Sequence, residues 1–272
     1  MLIKAENLKK YYSITKATFS AKSKEIVKAV DGVSFEIKKG EILGLVGESG
    51  CGKTTLGKLL LRLVEPTGGK LYYQEEEIFS LPAKKLRRMR RKIQIIFQDP
   101  YKSLNPRMRI SEIISEPLFV HNLFKNREKG RVKELLKLVG LPFASINNFP
   151  HQFSGGQRQR VNIARALATN PEFIVCDEPV SNLDVSISAQ ILNLLKKLQE
   201  EFNLTYLFIS HDLSVVGYFC DRIMVMKKGK IVEVNSAEKL YSNPSHPYTR
   251  TLLSSIPRIQ KITPAKQSQT LL

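Results

Sequence analysis

Residues Glu41–Val46, reading EILGLV, run straight into Gly47-Glu48-Ser49-Gly50-Cys51-Gly52-Lys53-Thr54. The first six residues form a compact apolar strand, the next eight match G-x-x-x-x-G-K-[ST], and a helix is expected over Thr54–Leu63. With a strand before the loop and a helix after it, backbone N–H groups and the helix N-terminus converge on one concavity, which suits a polyphosphate. Lys53 would reach the β- and γ-phosphates as a point charge, and the Thr54 hydroxyl is an oxygen ligand for Mg²⁺. A glycine-rich turn beside an unrelated lysine is the plain alternative, and both flanks argue against it. The stretch therefore sets the fold class as α/β with a P-loop core. It also puts Cys51 beside Lys53 and a helix N-terminus, positive neighbours expected to lower the thiol pKa and make it reactive.

On the N-terminal side, Leu2–Leu8, Ile26–Val30 and Val33–Ile37 are short, partly alternating stretches expected to form an antiparallel β subdomain. On the C-terminal side, Pro66-Thr67-Gly68-Gly69 breaks the chain before a strand at Lys70–Tyr73, and Lys92–Phe97 is strand-like up to Gln98-Asp99-Pro100. A helical subdomain is expected over approximately residues 99–160, where Val132, Leu135, Leu136 and Val139 recur at helical spacing before Gly140. Phe173–Cys176 and Thr205–Ile209 are apolar runs typical of buried parallel strands. Ile187, Ile191, Leu194 and Leu198 mark a helix face between them, and Arg222–Met226 with Ile231–Val234 resemble a hairpin turning at Lys228-Gly229.

The 272 residues allow one large domain or two modest ones, and 42% hydrophobic residues suffice for a core. No stretch approaches the ~20 apolar residues of a membrane span, and the first residues do not read as a secretory signal. Three scattered cysteines argue against a disulfide scaffold and fit a reducing compartment. The net charge is +18, of which seven basic residues fall within Lys84–Lys92, KKLRRMRRK. That run reads as a solvated helix face with Leu86 and Met89 turned inward, with an anionic membrane surface and nucleic acid as the competing readings. Bases do not alternate with aromatics as in a stacking platform, and no nucleic-acid partner is expected.

Two further stretches complete a catalytic set. Phe173-Ile174-Val175-Cys176-Asp177-Glu178 delivers two carboxylates at the C-terminal end of a strand, where open α/β sheets bind ligands. Asp177 would hold Mg²⁺ through its water shell, and Glu178 would orient and deprotonate an attacking water. Ser154-Gly155-Gly156-Gln157 opens another helix, with Ser154 as N-cap and two glycines baring the first N–H groups to an anion. An ordinary capped helix is the plain reading of that segment.

Taken together, the P-loop and SGGQ upstream of Asp177 resemble the ATPase subunit of ATP-binding cassette (ABC) transporters, over roughly residues 2–257; Phe153 stands where that family usually has leucine before SGGQ. The resemblance implies a nucleotide-binding domain at 1–257 and a short basic tail at 258–272. Its nucleotide site would use Gly47 through Thr54 together with Thr55. Gln98 matches the glutamine that touches Mg²⁺ and senses the transmembrane partner, and His211 the histidine at the γ-phosphate. Asp184 matches the aspartate that links opposing sites, and Tyr12 best matches the aromatic that stacks on adenine, with Tyr11 one register away. Glu178, His211, Gln98 and Lys53 would be catalytic; Thr54, Gln98 and Asp177 would hold the metal.

The implied ligands are ATP and Mg²⁺. The implied partners are a second copy or a homologous ABC ATPase, whose SGGQ faces this P-loop, two transmembrane permease subunits and, indirectly, an extracytoplasmic solute-binding protein. The implied place is the cytoplasmic face of the cell membrane, peripherally bound. Asn243-Pro244-Ser245-His246-Pro247-Tyr248-Thr249, with Leu252, Leu253 and Pro257, resembles dipeptide and oligopeptide importers and related nickel importers. No cysteine follows Cys220, unlike the cysteine-rich extension of many peptide importers, which keeps nickel or metal-chelate import open beside peptide import. Soluble cassette ATPases of DNA or translation are the other class, and the tandem cassettes or coiled-coil insertions that they need are not visible.

Overall fold

In the computed structural model, which describes residues 1–18, 21–124 and 127–255, the chain opens with β1 (Ile3–Thr18) and β2 (Ala21–Ile37) paired antiparallel. The expected separate strands at Ile26–Val30 and Val33–Ile37 are one. Register shifts between Leu8 opposite Val33 and Lys9 opposite Asp31, and Gly32 takes a φ of 73°, so a bulge absorbs Asp31-Gly32 without ending the strand. β3 (Ile42–Val46) then feeds the glycine-rich loop and α1 (Lys53–Leu60). This helix stops short of Leu63 because Leu61 caps it and Arg62 turns left-handed, with φ 46°. β4 (Gly68–Tyr73) and β5 (Glu76–Glu77) complete a four-stranded sheet ordered β2-β1-β4-β5.

The basic run lies on α2 (Ala83–Lys92). Met89 is buried and Leu86 is partly buried against the same core, while the basic residues face outward. Arg87 and Arg90 donate to the carbonyls of Val120 and Arg62. This is an amphipathic surface helix, the plain reading of its sequence.

β6 (Ile93–Ile96) leads into a helical stretch of α3 (Pro100–Ser103), α4 (Ile110–Val120), α5 (Glu128–Leu138), two 3-10 turns at Phe143–Asn147 and Pro150–Gln152, and α6 (Gly155–Leu167). There follow β7 (Phe173–Asp177), α7 (Val185–Phe202), β8 (Thr205–Ile209) and α8 (Leu213–Phe219). Next come β9 (Arg222–Lys227), β10 (Lys230–Ser236), α9 (Ala237–Ser242) and α10 (Pro247–Ser254). Pro257 and the expected tail at 258–272 lie outside the described residues.

The second sheet runs β10-β9-β3-β8-β7-β6, parallel throughout except for β10 against β9. Its strands alternate sides, as a period of two requires. Leu43, Leu45, Val175, Leu207 and Ile209 join the core shared with α1 and the antiparallel sheet. Ile42, Val46, Ile174, Cys176, Tyr206 and Phe208 join the core shared with α4 to α8. With both faces covered, β3, β7 and β8 are buried at every position. The arrangement gathers the ends of β3, β6, β7 and β8 along one edge, where the loops that follow them carry the polar residues. Among the described residues, no helix is long and apolar enough to cross a membrane.

Candidate functional site

Two of the loop glycines are required by geometry. A Cβ on Gly47 (φ 152°) would lie 2.2 Å from the Met226 carbonyl oxygen, and one on Gly52 (φ 113°) 2.0 Å from that of Ala29. Either clash would push the loop off β2 or β9. Gly52 sits at the N-cap of α1 and brings no capping side chain, which leaves the helix end to the loop's own concavity. Lys53 is 5% exposed, and its Nζ donates to the carbonyls of Gly47 (2.7 Å) and Glu48 (2.9 Å). The β9–β10 turn steadies the loop from outside: Gly229 N–H donates to the Cys51 carbonyl at 2.9 Å, and Asp31 N–H to the Gly229 carbonyl at 2.8 Å.

At the end of β7, Asp177 is buried and its Oδ1 accepts from the Thr54 hydroxyl at 3.1 Å. Burial pushes this carboxyl up, against the opposing pull of the Thr54 hydrogen bond and of Lys58 and Lys53. Glu178 holds a left-handed φ of 47°, fixed by its N–H donating to the Ile209 carbonyl at 2.9 Å. That turn aims its side chain at the cleft. Glu178 Oε2 accepts from Gln98 Nε2 at 2.9 Å and stands 3.1 Å from His211 Nδ1. Three residues from the ends of three strands thus meet at one carboxylate oxygen.

A cleft of about 650 Å³ is lined by Ser49 to Thr55, Gln98 and Glu178, while Gly47, Glu48, Asp177, His211 and Tyr12 stand outside its lining. Its other wall is Ile26 to Ala29 with Lys228 and Gly229, which no sequence motif marks. Those segments read only as strand and turn, because their part comes from where β2 and the β9–β10 turn lie against the loop. Tyr12 pairs across to Val27 in this wall, is 38% exposed and carries Lys10 Nζ at 4.9 Å from its ring centre. Tyr11 is engaged elsewhere, its hydroxyl donating to Asp31 Oδ1 at 2.5 Å. Of the two, Tyr12 has the ring that is more open to solvent.

Ser154 to Gln157 and Asp184 do not line this cleft. Ser154 Oγ accepts from Gln157 N–H (3.3 Å) and Ser154 N–H donates to Gln157 Oε1 (3.0 Å), a reciprocal capping box. A Cβ on Gly156 would lie 2.4 Å from Ile187 Cγ2, so glycine lets α6 press against the start of α7. Asp184 caps that helix by accepting from Ile187 N–H at 2.9 Å. Ser154, Gln157 and Asp184 all face solvent.

Cys51 corrects its expectation. The thiol is 8% exposed, and burial pushes its pKa up by more than nearby Lys53 pulls it down. Iodoacetamide at pH 7.5 should label Cys51 more slowly than a free cysteine, since burial raises its thiol pKa and limits access. Peptide mass spectrometry over a time course checks this, and rapid labelling of Cys51 would contradict it.

Comparison with known proteins adds the following. A family model described as "ABC transporter" matches residues 30–181, and one described as "Oligopeptide/dipeptide transporter, C-terminal region" matches residues 232–270. The chain is 52% identical over 273 residues to "Oligopeptide transport ATP-binding protein AppF" of Bacillus subtilis (strain 168), spanning 100% of this chain and 83% of that one. It is 54% identical over 259 residues to "Oligopeptide transport ATP-binding protein OppF" of the same organism, spanning 94% and 82%. Among solved structures it resembles the dimeric post-hydrolysis state of the ATP-binding cassette MJ0796 bound to ADP and Pi. That likeness has a TM-score of 0.75 at 35% identity and covers 87% of this chain and 99% of that one.

Proposed function

The chain belongs to the ABC transporter family as one of its ATPases, and we propose that it powers the import of dipeptides and oligopeptides through a membrane transporter. The match of residues 232–270 to the oligopeptide/dipeptide transporter C-terminal region carries the cargo assignment, and AppF and OppF bear oligopeptide names. Nickel or metal-chelate import is not favoured by these relatives.

The cleft supports a mechanism residue by residue. Loop N–H groups and Lys53 take the phosphates, with the Lys53 ammonium exchanging the Gly47 and Glu48 carbonyls for phosphate oxygens. Thr54 and Asp177, already 3.1 Å apart, and Gln98 form an all-oxygen set that suits Mg²⁺, and the ion would relieve the buried charge of Asp177. When bound, it supplies charge neutralisation on the β- and γ-phosphates. Glu178 accepts the proton of the attacking water, the water oxygen bonds to the γ-phosphorus, and ADP leaves with inorganic phosphate as the second product. Gln98 and His211 hold Glu178 in place through Oε2.

The second half of the site comes from a partner, either another copy or a homologous ABC ATPase. In the capping box Ser154 Oγ is an acceptor, which leaves its O–H to donate to a γ-phosphate presented by the facing P-loop. Asp184, exposed at the head of α7, would link the two sites. Residues 1–257 act as one nucleotide-binding domain with the helical segment at approximately 99–160 as a subdomain. Two permease subunits, fed by a solute-binding protein, would seat it at the cytoplasmic face of the membrane. Reconstitution of the co-purified permease assembly in vesicles is expected to give ATP-dependent accumulation of labelled dipeptides or oligopeptides, abolished by Glu178→Gln. Uptake of Ni²⁺ without any peptide would overturn the cargo assignment.

A further inference from the structure

The motif His246-Pro247-Tyr248-Thr249 opens α10, with His246 as its N-cap, well after the catalytic residues in the chain, yet it touches the phosphate loop. Tyr248 is 6% exposed, and its hydroxyl accepts from the Glu48 backbone N–H at 3.2 Å. Lys227 Nζ sits over its ring, 4.4 Å from the centre. The start of α10 is itself clamped. Glu233 of β10, 7% exposed, accepts from Ser245 N–H (2.8 Å) and His246 N–H (3.0 Å), with Asn235 Nδ2 at 3.2 Å. His246 Nδ1 accepts from Tyr248 N–H at 3.1 Å, and Pro247 fixes the first helical residue. Burial works against the Glu233 charge, yet the Thr249 hydroxyl beside it, the two amides and Asn235 prevail and push the carboxyl down to about 2. The clamp is therefore charged at any neutral pH.

Glu48 is consequently gripped at both ends of its backbone, by Tyr248 at the N–H and by Lys53 at the carbonyl. A phosphate that draws Lys53 away leaves the Glu48 carbonyl to the Cys51 N–H at 3.2 Å and leaves the Tyr248 bond to the Glu48 N–H in place. We infer that Tyr248, braced by the Glu233 clamp, is a positioning residue that holds the entry of the phosphate loop in its nucleotide-accepting shape. Tyr248 is not among the residues lining the cleft, so it acts on how readily nucleotide is bound and not on the chemical step.

This inference rests on residues 47–54 being the phosphate site. Tyr248→Phe removes only the hydroxyl and keeps the packing of the ring. In the full chain it should raise the Kd for ADP and the KM for ATP by about 3- to 10-fold, the range of one neutral hydrogen bond, with kcat within about twofold. A merely structural tyrosine would shift the Tm and leave Kd and KM alone. Glu233→Gln should move Kd and KM the same way, and the double variant should be less than additive with respect to the two singles. Unchanged Kd and KM in folded Tyr248→Phe overturns the inference, as does a fall in kcat at unchanged Kd. If Tyr248→Phe does not fold, unchanged Kd and KM in Glu233→Gln overturns it equally. Lys53→Ala separates the two levels: if its ADP affinity is that of wild type, the phosphate-site reading itself fails. If Lys53→Ala loses ADP and Tyr248→Phe does not, only the brace fails.

Discussion

Glu178→Gln should lower steady-state ATP hydrolysis by about 10²–10⁴-fold, the usual loss on removing a positioned general base. The amide keeps the shape of the carboxylate and can still accept from Gln98 Nε2, 2.9 Å from Oε2, with His211 Nδ1 3.1 Å away. It cannot take the proton of a water. The left-handed turn at Glu178 and its N–H bond to Ile209 belong to the backbone, so the substitution leaves the cleft in place. Nucleotide binding should survive, since Lys53, Thr54, Asp177 and Tyr12 are untouched. A rate within threefold of wild type in single-turnover measurements would show that another group accepts the proton.

Lys53→Ala should act differently, removing binding and hydrolysis together. Loss of one preorganised charge contact removes about 3 kcal/mol of transition-state stabilisation, roughly 10²-fold in rate. Ground-state affinity falls with it, because the same ammonium meets the phosphates before and during reaction. The empty loop suffers too, since the Gly47 and Glu48 carbonyls both lose their Nζ partner. Titration calorimetry with ADP alongside turnover checks this. A variant that binds ADP as tightly as wild type would remove the phosphate role from residues 47–54.

Much of the fold was legible because its core strands carry their own signal. Ile42–Val46, Phe173–Asp177 and Thr205–Ile209 are apolar runs that only a doubly covered sheet can bury. The motif residues were legible for a related reason, since Gly47 and Gly52 stand where no side chain fits. Strand continuity was not: Ile26–Val30 and Val33–Ile37 read as two strands, and only the pairing with Leu8 and Lys9 makes Asp31-Gly32 a bulge within one. The Cys51 thiol was misjudged because sequence shows its charged neighbour but not the burial that outweighs it. Nor could local sequence reveal the wall formed by Val27, Lys28 and Gly229, or the reach of Tyr248 back to Glu48. Those contacts join segments that only the tertiary fold brings together.

We propose that the site is completed across two ATPases; Ser154 and Gln157 face solvent, where a second cassette can meet them. Light scattering of Glu178→Gln with Mg-ATP tests it most directly, with the chain alone and with its homologous partner ATPase. The predicted result is a dimer that forms only with ATP and is abolished by adding Ser154→Arg, which puts a bulky cation where the hydroxyl should meet the γ-phosphate. A Glu178→Gln chain that binds ATP yet stays monomeric, both alone and with that partner, would contradict it.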